Sequence, residues 1–138
     1  MKGSETFEHT ADIGIRAWGD SRPELYEALA EELAGLICPR DQVRPTVRQR
    51  FAVDAADPGA LAVAFLGQLA DWSQRRRMCI AQVRVDAATD THLEAEVAAE
   101  PLDASRHELG QEIKAATYHK LEVRNRDGRW EGQVILDI

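Results

Sequence analysis

Apolar and polar positions along this chain alternate, fall into helical stripes, and then alternate again. From Ile13 to Trp18, Ile13, Ile15 and Ala17 face one side and Arg16 and Trp18 the other, the period of a strand entered from the polar turn at His9–Asp12. Ser21, with Glu24 three residues on and Pro23 in the first turn, has the spacing of a capped helix start. Leu25, Leu29, Leu33 and Leu36 follow as an apolar stripe, and Pro39 ends it. Val47, Phe51 and Val53 read as a second strand. Asp57–Pro58 opens a second helix, with Leu61, Phe65, Leu69 and Trp72 at helical spacing.

The second half is dominated by strands. Ile80 to Asp86 and Leu93 to Ala98 alternate on either side of a polar turn around Ala88–Thr91, which predicts a hairpin. Asp103 caps a short turn carrying Arg106 and His107, and Arg106 is placed to pair with Asp103. Thr117, His119, Leu121 and Val123 share one face of a predicted strand. Asp127–Gly128 is a hairpin-turn signal, and Trp130 to Ile138 return as the last strand. Two helices among about seven strands, joined by hairpins rather than regular βα repeats, predict an α+β two-layer sandwich. In it a mostly antiparallel or mixed sheet packs against the two helices.

Composition narrows this further. At 138 residues and 44% hydrophobic, with no repeat or linker-like stretch, residues 1–138 read as one domain that can bury its own core. Cys38 and Cys79 lie far apart and in no metal-ligand spacing, so neither a disulfide framework nor a thiolate site is signalled, and a reducing cytoplasm is the expected location. No apolar run approaches a signal peptide or a membrane span. The net charge of −7 works against broad attraction to nucleic-acid phosphates. Arg75, Arg76 and Arg77 fall where cations meet the carbonyl end of the second helix, and Gly67 within that helix suggests close packing.

Candidate chemistry gathers at two places. His9-Thr10-Ala11-Asp12 sets a ring and a carboxylate in a polar turn, where Asp12 can either face an open site or organise the turn itself. At the other end, Asp137 points away from Leu136 and Ile138 by alternation. The backbone carboxylate of Ile138 need not follow its side chain, so both acidic groups can converge on one cation. Carboxylate oxygens suit a hard divalent ion, calcium, magnesium or manganese; the alternative is a plain edge of sheet with a solvated Asp137. His119 is either a third candidate or a hydrogen-bonded core residue. Phosphate loops, nucleophile elbows and dinucleotide fingerprints are absent, and no catalytic residue is assigned.

Three segments together resemble the archease family: His9-Thr10-Ala11-Asp12-Ile13-Gly14-Ile15-Arg16-Ala17-Trp18-Gly19, Ile113-Lys114-Ala115-Ala116-Thr117-Tyr118-His119, and Val134-Ile135-Leu136-Asp137-Ile138. The resemblance implies an accessory protein of the GTP- and manganese-dependent RNA-splicing ligase of tRNA splicing and RNA repair. It would promote guanylylation of the ligase and multiple turnover, and would meet RNA only through that partner. It also implies metal ligands at Asp12, Asp137 and the carboxylate of Ile138, with His9, Lys114 and His119 nearby. The chain departs from the family where Phe65-Leu66-Gly67-Gln68-Leu69-Ala70-Asp71-Trp72 replaces a Trp-Leu-Asn-Glu-like stretch. Ala116 and Lys120 depart too, standing where valine and a small residue are common. Two other readings stand beside this one. The first is a metal-dependent phosphodiester hydrolase with His119 as general base; the second is a chaperone-like scaffold with a structural metal.

Overall fold

The computed structural model describes residues 1–9 and 11–138, with Glu8 and His9 described through their backbone alone. The elements in chain order are β1 (Gly3–His9), β2 (Asp12–Gly19), α1 (Arg22–Ile37), β3 (Val47–Asp54), α2 (Pro58–Arg76), β4 (Met78–Ala88) and β5 (His92–Pro101). They are followed by β6 (Ala115–Ala116), β7 (Glu122–Arg126) and β8 (Arg129–Asp137).

The α+β plan holds, but the strands form two sheets among the described residues and every pairing is antiparallel. One sheet has five strands in the order β1-β2-β8-β6, with β7 also pairing with β8; the other runs β3-β5-β4. The strand β1 was not predicted, because its run is polar apart from Phe7 and it forms the edge of its sheet. Its ring explains Gly14. A Cβ at Gly14 would lie 1.9 Å from the Phe7 ring, so only glycine lets that ring lie across β2.

Both helices start as their sequences dictate. The Ser21 hydroxyl accepts from the Glu24 N–H at 3.3 Å, and the Glu24 carboxylate reaches back to the Asp20 N–H at 3.2 Å. Asp57 caps α2 by accepting from the Ala60 N–H at 2.8 Å. At its far end Arg75 and Arg76 occupy the last turn and Arg77 the left-handed cap, φ 55°, so the arginine run meets the negative end of the helix dipole. Leu25, Leu29 and Leu33 are fully buried, and Ile37 rather than Leu36 continues the row, keeping to an i, i+4 ridge. Each such leucine contributes about 1.5–3 kcal/mol over its exposed state.

One continuous core runs through both helices and both sheets, including Ile15, Leu29, Phe65, Leu69, Val97 and Leu136. Tyr26, 1% exposed, ties the helices together by donating to the Pro58 carbonyl at 2.9 Å. The free edge of β4 lies along α1 instead of another strand. Glu27 and Glu31 accept from the N–H groups of Val85 and Val83, at 2.8 and 3.3 Å, and Arg40 donates to the Ala81 carbonyl at 2.9 Å. Side chains thereby satisfy an edge that would otherwise invite another chain. Gly67 corrects the expectation of close packing, since a Cβ there would meet nothing within 4 Å. No helix among the described residues is long and apolar enough to cross a membrane.

Candidate functional site

The β2–β8 pairing builds the acidic tip. Asp12 and Asp137 are direct cross-strand partners, so their side chains leave the same face of the sheet with Cβ atoms roughly 5 Å apart. The two sequence segments farthest apart in the chain are therefore the two that share this site. Ala115 pairs with Asp137 from the other side, and the Lys114 N–H donates to the Asp137 carbonyl at 2.8 Å. Ile13, Val134 and Leu136 are buried on the opposite face and hold this end of the ladder to the core.

The two carboxylates differ in their surroundings. Asp137 is exposed, and Ile138 beside it is partly buried against the core. Asp12 is half-buried, and its Oδ1 is shut off from solvent with no hydrogen-bond partner among the described residues. A buried carboxylate oxygen without a donor costs about 1–3 kcal/mol or more, and a like charge directly across the ladder adds to that. A cation between the two side chains would meet both costs, since carboxylate oxygens are a hard-ion donor set. Among the described residues, no three His, Cys, Asp or Glu side chains are grouped to hold a metal.

The other predicted residues fall unevenly around the tip. Lys114 is exposed on the segment entering β6. The side chain of His9 lies outside the described residues, although its backbone pairs with Asp12 across the β1–β2 hairpin. His119 corrects the strand reading. Ala116 pairs with Leu136 and Glu122 with Gln133, so the five residues between them face only two of β8, and the surplus leaves the sheet as a turn at Tyr118–Lys120. Thr117 anchors it through its N–H and hydroxyl to the Ile135 carbonyl, at 3.0 and 2.9 Å, and Gln133 donates to the Lys120 carbonyl at 2.9 Å. His119 is consequently exposed, and no described hydrogen bond joins its ring to Asp12 or Asp137. Lys120 takes φ 50°, the backbone reason a small residue suits that position.

The charged cluster of Asp103, Arg106 and His107 is organised by a residue that no pattern singled out, Glu100, at the end of an ordinary strand. Glu100 is 6% exposed and His107 5%. The Glu100 carboxylate accepts from Arg106 at 2.7 Å, from His107 Nε2 at 2.8 Å and from the Arg44 N–H at 2.9 Å. The Asp103 N–H donates to His107 Nδ1 at 2.9 Å, which fixes the tautomer with the proton on Nε2. Arg106 also approaches Asp103, at 3.6 Å, but Glu100 is its nearer partner. The Arg106 guanidinium, then the Arg44 N–H and His107, draw the Glu100 carboxyl down to about 2. Every partner here is accounted for, and the cluster pins the irregular segment after β5. No hydroxyl or thiol is hydrogen-bonded to a histidine ring among the described residues.

Fold and site together define an α+β protein with an open acidic tip, built from both ends of the chain and set against a closed, fully paired charge cluster. The model of the archease protein family matches residues 5–138, and the chain belongs to that family. It is 34% identical to the archease of Pyrococcus abyssi and 33% identical to that of Thermococcus gammatolerans, in each case over all of both chains. Its structure is similar to the solution structure of protein 1598 of Methanobacterium thermoautotrophicum, with a TM-score of 0.81 at 27% identity over 99% of each chain. The fold also matches the crystal structure of a Thermotoga maritima archease described as a possible chaperone. There the TM-score is 0.62 at 21% identity, over 97% of this chain and 96% of that one.

Proposed function

We propose that this chain is a cation-holding accessory protein that activates a GTP- and manganese-dependent RNA-splicing ligase, promoting its guanylylation and multiple turnover in tRNA splicing or RNA repair. The observation that carries the reading is the buried Oδ1 of Asp12, without a hydrogen-bond partner among the described residues, directly across the ladder from Asp137. The ligase as partner is what the resemblance to the family implies, and the Thermotoga relative's description as a possible chaperone agrees with action on another protein.

In this reading Asp12, Asp137 and the α-carboxylate of Ile138 hold a divalent cation, calcium, magnesium or manganese. When bound, that ion supplies a concentrated positive charge for phosphate oxygens. The chain's own residues do the positioning. Asp12 is fixed by its place between β1 and β8, whereas Asp137 is exposed and leaves the tip open to a partner's active site. Lys114 adds a mobile positive charge beside the tip, and Tyr118, 67% exposed, sits at the crest of the adjoining turn. The net charge of −7 makes RNA contact through the ligase the better fit than direct binding, and two unbridged cysteines suit a cytoplasmic home.

The test is the rate of guanylylation of the same organism's RNA ligase, with GTP and manganese, at substoichiometric amounts of this protein. Strong stimulation by the wild type and little by Asp137→Asn supports the proposal. Equal stimulation by both separates the acidic tip from the activity, and none by either removes the ligase as the partner. Adding residues after Ile138 tests the backbone ligand alone: an extended protein that stimulates normally excludes that carboxylate.

A further inference from the structure

The cysteines, far apart in sequence, meet in the fold. Cys38 is the C-cap of α1 and Cys79 the second residue of β4; they are 1% and 2% exposed. Both line one cavity of about 480 Å³, between the end of α1, the end of α2 and the segment that follows β5. Its inner wall is apolar, with Ile37, Met78 and Leu102, and its mouth is bounded by the exposed Leu109 and Gln111. That outer segment is held in place by the Gly110 N–H to the Ile37 carbonyl at 2.8 Å and the Gln111 N–H to the Leu36 carbonyl at 2.6 Å. Gly110 is required here, since a Cβ would lie 2.2 Å from the Leu36 carbonyl oxygen.

We propose that Cys38 and Cys79 form a dithiol modification site, which a low-molecular-weight disulfide entering this cavity oxidises to an intramolecular disulfide. One thiol attacks the small disulfide, forming a mixed disulfide and releasing one small thiol; the second protein thiol then displaces the other. The protein loses two protons and two electrons, and the reagent's sulfur–sulfur bond takes them up. The two sulfurs are too buried for a second protein chain, and the cavity is the route by which a small disulfide reaches them. The bond would tie the end of α1 to the start of β4 across β3 and α2, a closed loop of some forty residues, long enough for substantial stabilisation by the chain-entropy account. Burial, and then the hydrogen-bonded Cys38 thiol beside it, push the Cys79 thiol up to about 12. Closure is therefore slow at neutral pH and quickens as pH rises.

The test treats the reduced full-length protein with oxidised glutathione and follows intact mass, non-reducing electrophoresis and thermal midpoint. The expected product is a monomer lighter by two hydrogens, carrying no glutathione, with a midpoint raised by roughly 5–10 °C. Cys38→Ala and Cys79→Ala should each retain a single glutathione or none, and neither should gain stability. A wild-type chain that keeps both thiols open to alkylation once unfolded overturns the proposal. So does one that accumulates two glutathiones or links to a second chain. These readouts use the wild-type protein alone, so they stand even if a variant folds poorly.

Discussion

Asp12 and Glu100 are both carboxylates at the ends of paired strands, half or wholly removed from water, yet their environments are opposites. Glu100 receives a guanidinium, an imidazole N–H and a backbone N–H, and its surroundings are closed. Asp12 has a buried oxygen that receives nothing from the described residues, and it faces a second carboxylate across the ladder. Breaking a buried, satisfied charge network is strongly destabilising, which is how such a network holds a fold together. A charge left unsatisfied weakens the free protein and is tolerated where something outside the chain completes it. On the proposed function, the difference separates the part of this molecule that keeps its shape from the part that acts.

The largest effect should come from breaking the open side of that comparison. Asp12→Asn should lower stimulation of ligase guanylylation by at least about 10-fold, while the thermal midpoint without added cation is unchanged or rises. A paired measurement of rate and melting checks both halves. Glu100→Ala should show the reverse. It strands Arg106, His107 and the Arg44 N–H, and should lower the midpoint by roughly 10 °C, with stimulation per folded molecule preserved below that transition.

Smaller effects sharpen the contrast by pH. The folded-state pKa of Glu100 is depressed, so its stabilisation is fully present above its ordinary value near 4.5. It is lost as pH falls from there toward about 2. Urea denaturation across that window should show a steep loss in the wild type and a shallower one in Glu100→Gln. His92 provides an exposed control, since Glu94 and Asp54, at 2.9 and 2.7 Å, raise its pKa above 6.5. Its contribution is fully present below 6.5 and fades as pH rises through the raised value. Because the group is open to solvent, His92→Gln should move the midpoint by only about 1 °C, measured on either side of that range.

Much of the plan could be read from residue patterns. Ser21 with Glu24, Asp57–Pro58 and the leucine rows define both helices, and Asp127–Gly128, with φ of 55° and 85°, makes the type I′ turn those residues favour. Local patterns failed where tertiary register took over. The alternation from Thr117 to Val123 is strand-like, yet β8 has only two positions for the five residues between Ala116 and Glu122, so the middle is expelled and His119 with it. β1 is polar because it is an edge, and Glu100 looks like any strand residue until the fold brings Arg106 and His107 around it. For the tip, alternation placed Asp137 on the outward face. What no pattern contains is that Asp12, more than a hundred residues earlier, is its direct partner.

The central claim is that the acidic tip holds a divalent cation, and thermal unfolding of the purified protein against increasing calcium or manganese tests it most directly. Ligand that binds only the folded state raises the midpoint with concentration, by an amount set by [L]/Kd. The account predicts a saturable rise for the wild type that is absent in both Asp12→Asn and Asp137→Asn. A wild-type midpoint that does not respond, or an equal rise in the two variants, would contradict it.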